Sequence, residues 1–203
     1  GEASTLNNIG RVYDSLGERR KALEKYNESL PLRQAVGDRR GEAATLNNIG
    51  LVYYSLGETQ KALEKYNEAL PIFQAVGDRN GEATTLLGIA RVEQKRGNLT
   101  QALKTVEQAV GMIESLRTNI VSQALRTSYF ASRHVLFESY IDVLMEMHKQ
   151  NTAAGIGAVA LAVSERARAR SLLELLEEAR ADIRQGVDAS VLERERSLQQ
   201  QLN

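Results

Sequence analysis

Apolar residues recur at helical spacing through the first 120 positions. Leu6, Ile9, Gly10 and Tyr13 fall at i, i+3, i+4 and i+7, and Ala22, Leu23, Tyr26 and Leu30 form a second stripe. This period puts one apolar face on each helix. Gly17 separates the stripes, where a tight turn needs a residue without a side chain. The pattern predicts a helix–turn–helix unit. Asp38 and Asp78 follow Gly37 and Gly77, which suits a helix stop at Gly and a new N-cap at Asp. Pro31 and Pro71 fall within the second helix of their units. A local kink is expected there, with helix continuing to about Val36 and Val76.

The pattern is a true repeat. Residues 1–40 and 41–80 are identical at 31 of 40 positions, and residues 81–120 keep 11 of 40 with the second unit. A fixed period of this length means small units stacked side by side, each burying its apolar face on its neighbours.

These residues resemble the tetratricopeptide repeat (TPR), whose pattern is large–x2–Leu–Gly–x2–Tyr, then Gly, then Ala–x3–aromatic–x2–Ala. The first unit supplies Leu6, Ile9, Gly10, Tyr13, Gly17, Ala22, Tyr26 and Ser29. The second supplies Leu46, Ile49, Gly50, Tyr53, Gly57, Ala62, Tyr66 and Ala69. The third keeps Leu86, Ile89, Ala90, Gly97, Ala102, Val106 and Ala109, with Glu93 in place of Tyr. The 40-residue period and the missing late Pro match the longer-helix subtype. The resemblance implies an all-α fold: a right-handed α-solenoid of three repeats (1–40, 41–80, 81–120). Gly10 and Ala22 would let the two helices of a unit approach closely.

Beyond Ile120 the register fades. Ser122–Lys149 reads as a long amphipathic helix, Gln150-Asn151-Thr152 as punctuation, and Ala153–Arg180 as a second long helix. A turn is expected over Asp182–Val187, then a linker helix over 188–203 capped by Asp188. Residues 121–203 thus read as a helical extension, with a degenerate fourth repeat over about 122–180. Most of 113–203, and SERARARSLLELL above all, looks like the segment linking TPR arrays to caspase-like CHAT protease domains in bacterial and cyanobacterial proteins. In that family the His–Cys dyad lies in the protease domain, which would follow Asn203. The chain has no Cys, so only a regulatory or docking role is carried over. Neither end shows a polar capping unit, and the chain is expected to be a fragment of a longer bacterial protein.

Composition narrows the partners. With 42% hydrophobic and 26% charged residues the chain can bury a core. Lys+Arg and Asp+Glu both number 26, without the basic excess of a nucleic-acid binder. The longest apolar run, Ala153–Val163, is too short to span a bilayer, and the N-terminus is no secretory signal. A cytoplasmic protein without membrane or nucleic-acid partners is expected. The absence of Cys removes disulfides and Cys-ligated metals. His134 and His148 are ~21 Å apart on one helix at 1.5 Å per residue and cannot share a metal. Gly155–Ala160 fits G-x-G-x-x-A but lacks the preceding strand a dinucleotide site requires, so it reads as a small-residue helix surface. Arg166 and Arg170 share a helix face, and Glu174 can pair with Arg170. No enzyme, cofactor or metal site is expected, since no catalytic pair or cluster has suitable spacing.

The resemblance places the binding surface on the first helix of each unit. It implies Ser4, Asn7, Asn8, Arg11, Asp14 and Ser15 in the first unit, and Ala44, Asn47, Asn48, Leu51, Tyr54 and Ser55 in the second. In the third it implies Thr84, Leu87, Gly88, Arg91, Gln94 and Lys95. Asn8 and Asn48 occupy the family's asparagine ladder, whose amide can both donate to and accept from an extended peptide. Gly88 interrupts that ladder. The chaperone-tail carboxylate clamp of other TPRs would need Lys at 7, Asn at 11, Asn at 48, Lys at 84 and a basic residue at 88. Only Asn48 matches, so that ligand is not expected. Of the nine differences between the first two units, 4/44, 11/51 and 14/54 fall on this face. They suggest a groove that varies over a fixed core. The expected function is a scaffold that binds a protein or peptide in the concave groove. The alternative is a structural array that self-associates through uncapped ends.

Overall fold

The computed structural model describes the backbone of residues 1–117, 123–152 and 155–185. The described residues form α1 (Glu2–Ser15), α2 (Arg19–Ala35), α3 (Arg39–Ser55), α4 (Thr59–Val76), α5 (Arg79–Lys95), α6 (Leu99–Arg117), α7 (Gln123–Gln150) and α8 (Ile156–Gln185). They contain no strand. None of these helices is long and apolar enough to cross a membrane. The chain divides into two compact units, Gly1–Ala160 and Leu161–Asn203.

Turn chemistry sets the hairpins. Gly17, Gly57 and Gly97 take φ of 77°, 81° and 82° between the helices of each hairpin, and Gly37 and Gly77 take 69° and 70° between hairpins. A side chain at these left-handed positions is strained, which is why Gly stands at all five, while the third repeat has Arg117 at the place of Gly37 and Gly77 and α6 runs on to it. Asp38 and Asp78 cap α3 and α5, accepting from the Gly41 and Gly81 N–H groups at 2.9 and 3.0 Å. The Gly41 N–H, and after it the Arg33 guanidinium, hold the Asp38 carboxyl below its ordinary value of 3.8. Helices α2 and α4 run through Pro31 and Pro71, and α4 reaches Val76 as expected.

Packing follows the repeat. Helices pair within hairpins (α1 with α2, α3 with α4, α5 with α6), and each second helix packs on the next hairpin's first. Tyr26 and Ala22 pack on Ile49 and Val52, and Tyr66 and Ala62 on Ile89 and Val92. Both tyrosines are 2% exposed. Their rings lie where a Cβ on Gly10 or Gly50 would stand, 2.6 and 2.8 Å from the ring carbons, so Gly at 10 and 50 admits the ring.

Two expectations are corrected. The core does not stay fixed between the first two units. Ser29, Arg33, Ala69, Ile72 and Phe73 are all buried, and they account for differences at 29/69, 32/72 and 33/73. In the first unit Ser29 Oγ donates to the Ala3 carbonyl at 2.8 Å, and Arg33 Nη1 donates to Asp38 at 2.6 Å. In the second, Phe73 fills the matching space against Gly81. One position thus holds a polar network in one repeat and an aromatic ring in the next. The turn expected from Asp182 also does not form before Gln185. Helix α8 runs through Asp182, Ile183 and Arg184, all compatible with helix, and the Gly that would stop it comes only at 186.

Helix α7 covers the expected span within a residue at each end, and it packs on α5 and α6 as α5 packs on α3 and α4. Helix α8 begins at Ile156 after Gly155 (φ 66°), and a Cβ on Gly157 would lie 3.3 Å from the His148 ring. His148 is half-buried, while the linker helix over 188–203 and the side chains of His134, Arg170 and Glu174 lie outside the described residues.

Truncating Tyr66 to Ala removes a buried ring from the contact between the second and third hairpins. It is expected to lower unfolding free energy by ~3–5 kcal/mol, as for large aromatic deletions, with urea titration as the check. A wild-type midpoint in Tyr66→Ala would refute this packing role. Burial also raises the Tyr26 phenol to about 12 and pushes the Tyr66 phenol up further. A raised folded value means the tyrosines contribute stability in full below their ordinary 10.0, and that contribution is lost as pH climbs through about 12. Melting curves from pH 8 to 12 should therefore decline above pH 10, and less steeply in Tyr26→Phe/Tyr66→Phe.

Candidate functional site: the inner face of the helix stack

The first helices of successive hairpins touch one another: α1 with α3, α3 with α5 and α5 with α7. No comparable contact joins α2 to α4 or α4 to α6 among the described residues. The stack therefore closes on the side of the first helices, which makes that side its inner face.

The structure sorts the expected groove residues into three groups. Asn7 is corrected first. It is buried, and its Oδ1 accepts from Thr45 Oγ1 at 3.3 Å and Asn48 Nδ2 at 3.2 Å. It joins α1 to α3 and is not presented to a ligand. Asn47 makes the matching contact one repeat on, accepting from Thr85 Oγ1 at 3.0 Å. The Thr45 and Thr85 hydroxyls also lie 2.9 and 2.8 Å from the Gly41 and Gly81 carbonyls, so each shares its single hydrogen between the asparagine oxygen and that carbonyl. Position 7 of the first two repeats is thus an inter-repeat polar joint, and Leu87 ends it in the third.

Asn8 and Arg11 form the second group and are exposed on α1, with Asp14 half-buried near them. Asn48 is half-buried and spends one amide hydrogen on Asn7.

The third group is brought together. Asn47, Leu51, Tyr54 and Arg91 line a hollow of about 400 Å³. Tyr54, Arg91, Gln94 and Lys95 line an adjoining one of about 380 Å³, together with Glu146. Tyr54 and Arg91 are common to both. The Lys95 ammonium sits 5.1 Å from the centroid of the Tyr54 ring, a cation–π distance. Among the described residues no carboxylate lies within ion-pair distance of Arg91 or Lys95, and Glu146 is paired with Lys149 at 3.1 Å.

The larger hollow also takes in residues that sequence reasoning assigned elsewhere. Tyr66, read as core, forms part of its floor, and Ile113, Val135 and Leu136 close it from α6 and α7. The last two belong to the extension, where no repeat register signals a groove position. Pockets of a few hundred Å³ with apolar walls and a few polar groups are common ligand sites. Among the described residues there is no group of three His, Asp or Glu placed to hold a metal ion.

Comparison with known proteins addresses the family. Tetratricopeptide repeat models match residues 5–40 and 41–115, together more than half of the chain. The chain belongs to the tetratricopeptide repeat family. Such repeats generally mediate protein–protein interaction, and the fold is generally a non-catalytic scaffold. No curated protein matches the chain. Among solved structures, the chain is similar to BtubC (BKLC) from P. vanneervenii, with TM-score 0.67 and 22% identity over 85% of this chain and 64% of that one. Aspartyl phosphate phosphatase F from Bacillus subtilis gives 0.64 and 11% over 81% of this chain and 40% of that one. Nearly identical TPR-like repeats of a kinesin light chain-like protein from Podosopora anserina give 0.53 and 18% over 88% and 93%. The chain thus spans under two thirds of the first two structures. At these identities the likeness is one of fold.

The joint at Asn7 separates structural from surface asparagines. Asn7→Ala leaves the Thr45 hydroxyl and the Asn48 amide without their shared acceptor, and should lower stability by about 1 kcal/mol. Asn8→Ala should change it by less than ~0.5 kcal/mol, as exposed substitutions do. Thermal unfolding of the pair checks this, and equal effects would place both residues in the same environment.

Proposed function

We propose that this TPR chain is a non-enzymatic interaction module that binds an extended protein or peptide segment along its inner face. The supporting observation is the pair of adjoining hollows that share Tyr54 and Arg91. There the chain offers apolar walls, amides that can meet a peptide backbone, and two cations without ion-pair partners among the described residues. Asn8, Arg11, Asp14 and Asn48 extend the surface toward α1. We further read the chain as the regulatory or docking arm of a larger cytoplasmic bacterial protein with a downstream CHAT protease domain. That reading rests on the resemblance of residues 113–203, SERARARSLLELL in particular. The long α7 and α8 would then support or transmit the effect of a bound partner.

A specific observation favours a second reading, self-association. Ile9 and Val12 on α1 are 39% and 57% exposed. Their counterparts Ile49 and Val52 are buried beneath Ala22 and Tyr26 of the preceding hairpin. The outer flank of α1 thus carries the surface that in the next unit receives a helix, and both a preceding repeat of a longer chain and a second copy would fit it.

Reversing Arg11 and Arg91 to Glu together with Asn48→Ala should cut recovery of bound partner protein from host lysate at least tenfold, while the melting temperature holds. Unchanged recovery would count against the groove. Sedimentation across a hundredfold concentration range checks the second reading: a monomer throughout removes it.

A further inference from the structure

We propose that the hollow at the second and third repeats admits one large apolar side chain of the bound polypeptide, and that Arg91 and Lys95 select an acidic residue beside it. This assignment rests on the groove reading above and names the class of segment the groove takes.

The first observation is at Gly88. The equivalent positions in the first two repeats carry Asn8 and Asn48. A Cβ at 88 would fall 2.5 Å from Tyr66 Cζ and 2.7 Å from Cε1, so the Tyr66 ring occupies the space a side chain would need. The third repeat gives up the amide that could read a main chain, and the base of the hollow there is the bare backbone at 88 with the edge of the Tyr66 ring, which stays 2% exposed, beneath it.

The second observation is the change of chemistry around that floor. Where the first repeat has Asn7, Arg11 and Asp14, the hollow has Leu87, Leu51 and Tyr54. Leu51 remains 40% exposed although it belongs to an apolar wall. With about 400 Å³, the hollow lies at the lower end of the ~300–1,000 Å³ range of ligand pockets, the scale of one large side chain with its flanking backbone. Asn47 gives its carbonyl oxygen to Thr85, which leaves its amide hydrogens to donate to a peptide carbonyl.

The third observation is charge. Arg91 stands between the two hollows and Lys95 lies over the Tyr54 ring, with no carboxylate in ion-pair reach of either among the described residues. Arg91 at the rim of the apolar hollow and Lys95 in the smaller one beside it, whose Glu146 is already paired with Lys149, favour a carboxylate next to the anchoring side chain, and rim charges of this kind select partners more than they hold them. The occupant that satisfies floor, wall and rim together is a segment with an aromatic or large aliphatic residue within about two positions of Asp or Glu, a reach set by ~3.3–3.6 Å per extended residue.

Selection from a displayed library of random dodecapeptides tests this, using the whole 203-residue chain. Enriched peptides should share a large apolar residue with a neighbouring Asp or Glu. Leu51→Arg/Tyr54→Asp installs the residues of the first repeat at the same places, where a hairpin of this sequence already accepts them. It should weaken an enriched peptide at least tenfold by fluorescence anisotropy while the chain keeps its wild-type far-UV circular dichroism and a cooperative melt, the loss of Tyr54 packing lowering the midpoint without unfolding the stack at the assay temperature. Replacing the apolar residue of the peptide with Ala should do the same, and Arg91→Gln should weaken acidic peptides but not their amidated versions. Binding within twofold of wild type in the folded double variant overturns the proposal. Enriched peptides that depend on Arg11 and Asn48 but not on Leu51 and Tyr54 also overturn it, while leaving the groove reading in place. No enrichment at all ends both.

Discussion

One contact organises the stack: a tyrosine ring from the second helix of a hairpin, laid against a backbone that carries no side chain. Tyr26 meets Gly10, and Tyr66 meets Gly50 and then Gly88. The far side of each ring covers the next hairpin's first helix, at Ile49 and Val52 or Ile89 and Val92. A single side chain thus joins the two helices of its own unit and seals that unit against its neighbour. Dispersion and apolar burial accumulate at this one point in each of the first two units, because a large ring offers more area than any aliphatic residue, while the third unit carries Val106 and Ala90 there. The hairpins need little else to set their spacing, and the polar joints at Asn7–Thr45 and Asn47–Thr85 then fix the register between first helices.

An inner face follows from which helices meet. The second helices make no comparable contact with one another among the described residues, while the first helices touch directly. Their polar side chains are drawn toward a common side, and α7 continues the series from outside the repeat register. The same ring then takes a second role in the third repeat. Without a side chain at 88, Tyr66 is both the seal between hairpins and part of the floor of a surface hollow. Stability and recognition share a residue there.

The two most similar repeats show how tolerant the arrangement is away from that contact. Ser29 and Arg33 build a hydrogen-bonded network reaching Ala3 and Asp38, and Ala69 and Phe73 fill the equivalent volume with apolar atoms. Asp38 turns to Arg33, whereas Asp78 receives Arg40 from the hairpin before it at 2.6 Å. A buried arginine that reaches an exposed carboxylate and a buried ring can substitute for each other when volume is kept and each polar atom finds a partner. Variation inside the interface is therefore as much a part of this repeat as variation on its face.

Local rules were enough to read the hairpins. The spacing of Leu6, Ile9 and Tyr13, the glycines at 17, 37, 57 and 77, and the caps at Asp38 and Asp78 all act within a few residues of themselves, so their consequences are written in the chain. The resemblance to the repeat family, carried through the repeat register, was what assigned Leu51, Tyr54, Arg91, Gln94 and Lys95 to one face. Which of the paired asparagines turns inward was settled by packing: a one-residue step on a helix rotates a side chain by about 100°, and only the approach of α3 to α1 decides that Asn7 is enclosed while Asn8 stays out. The depth of the hollow, its Tyr66 floor and its Val135 and Leu136 wall likewise belong to the tertiary structure, because they arise where five helices, α3 to α7, converge and no single segment carries their sum.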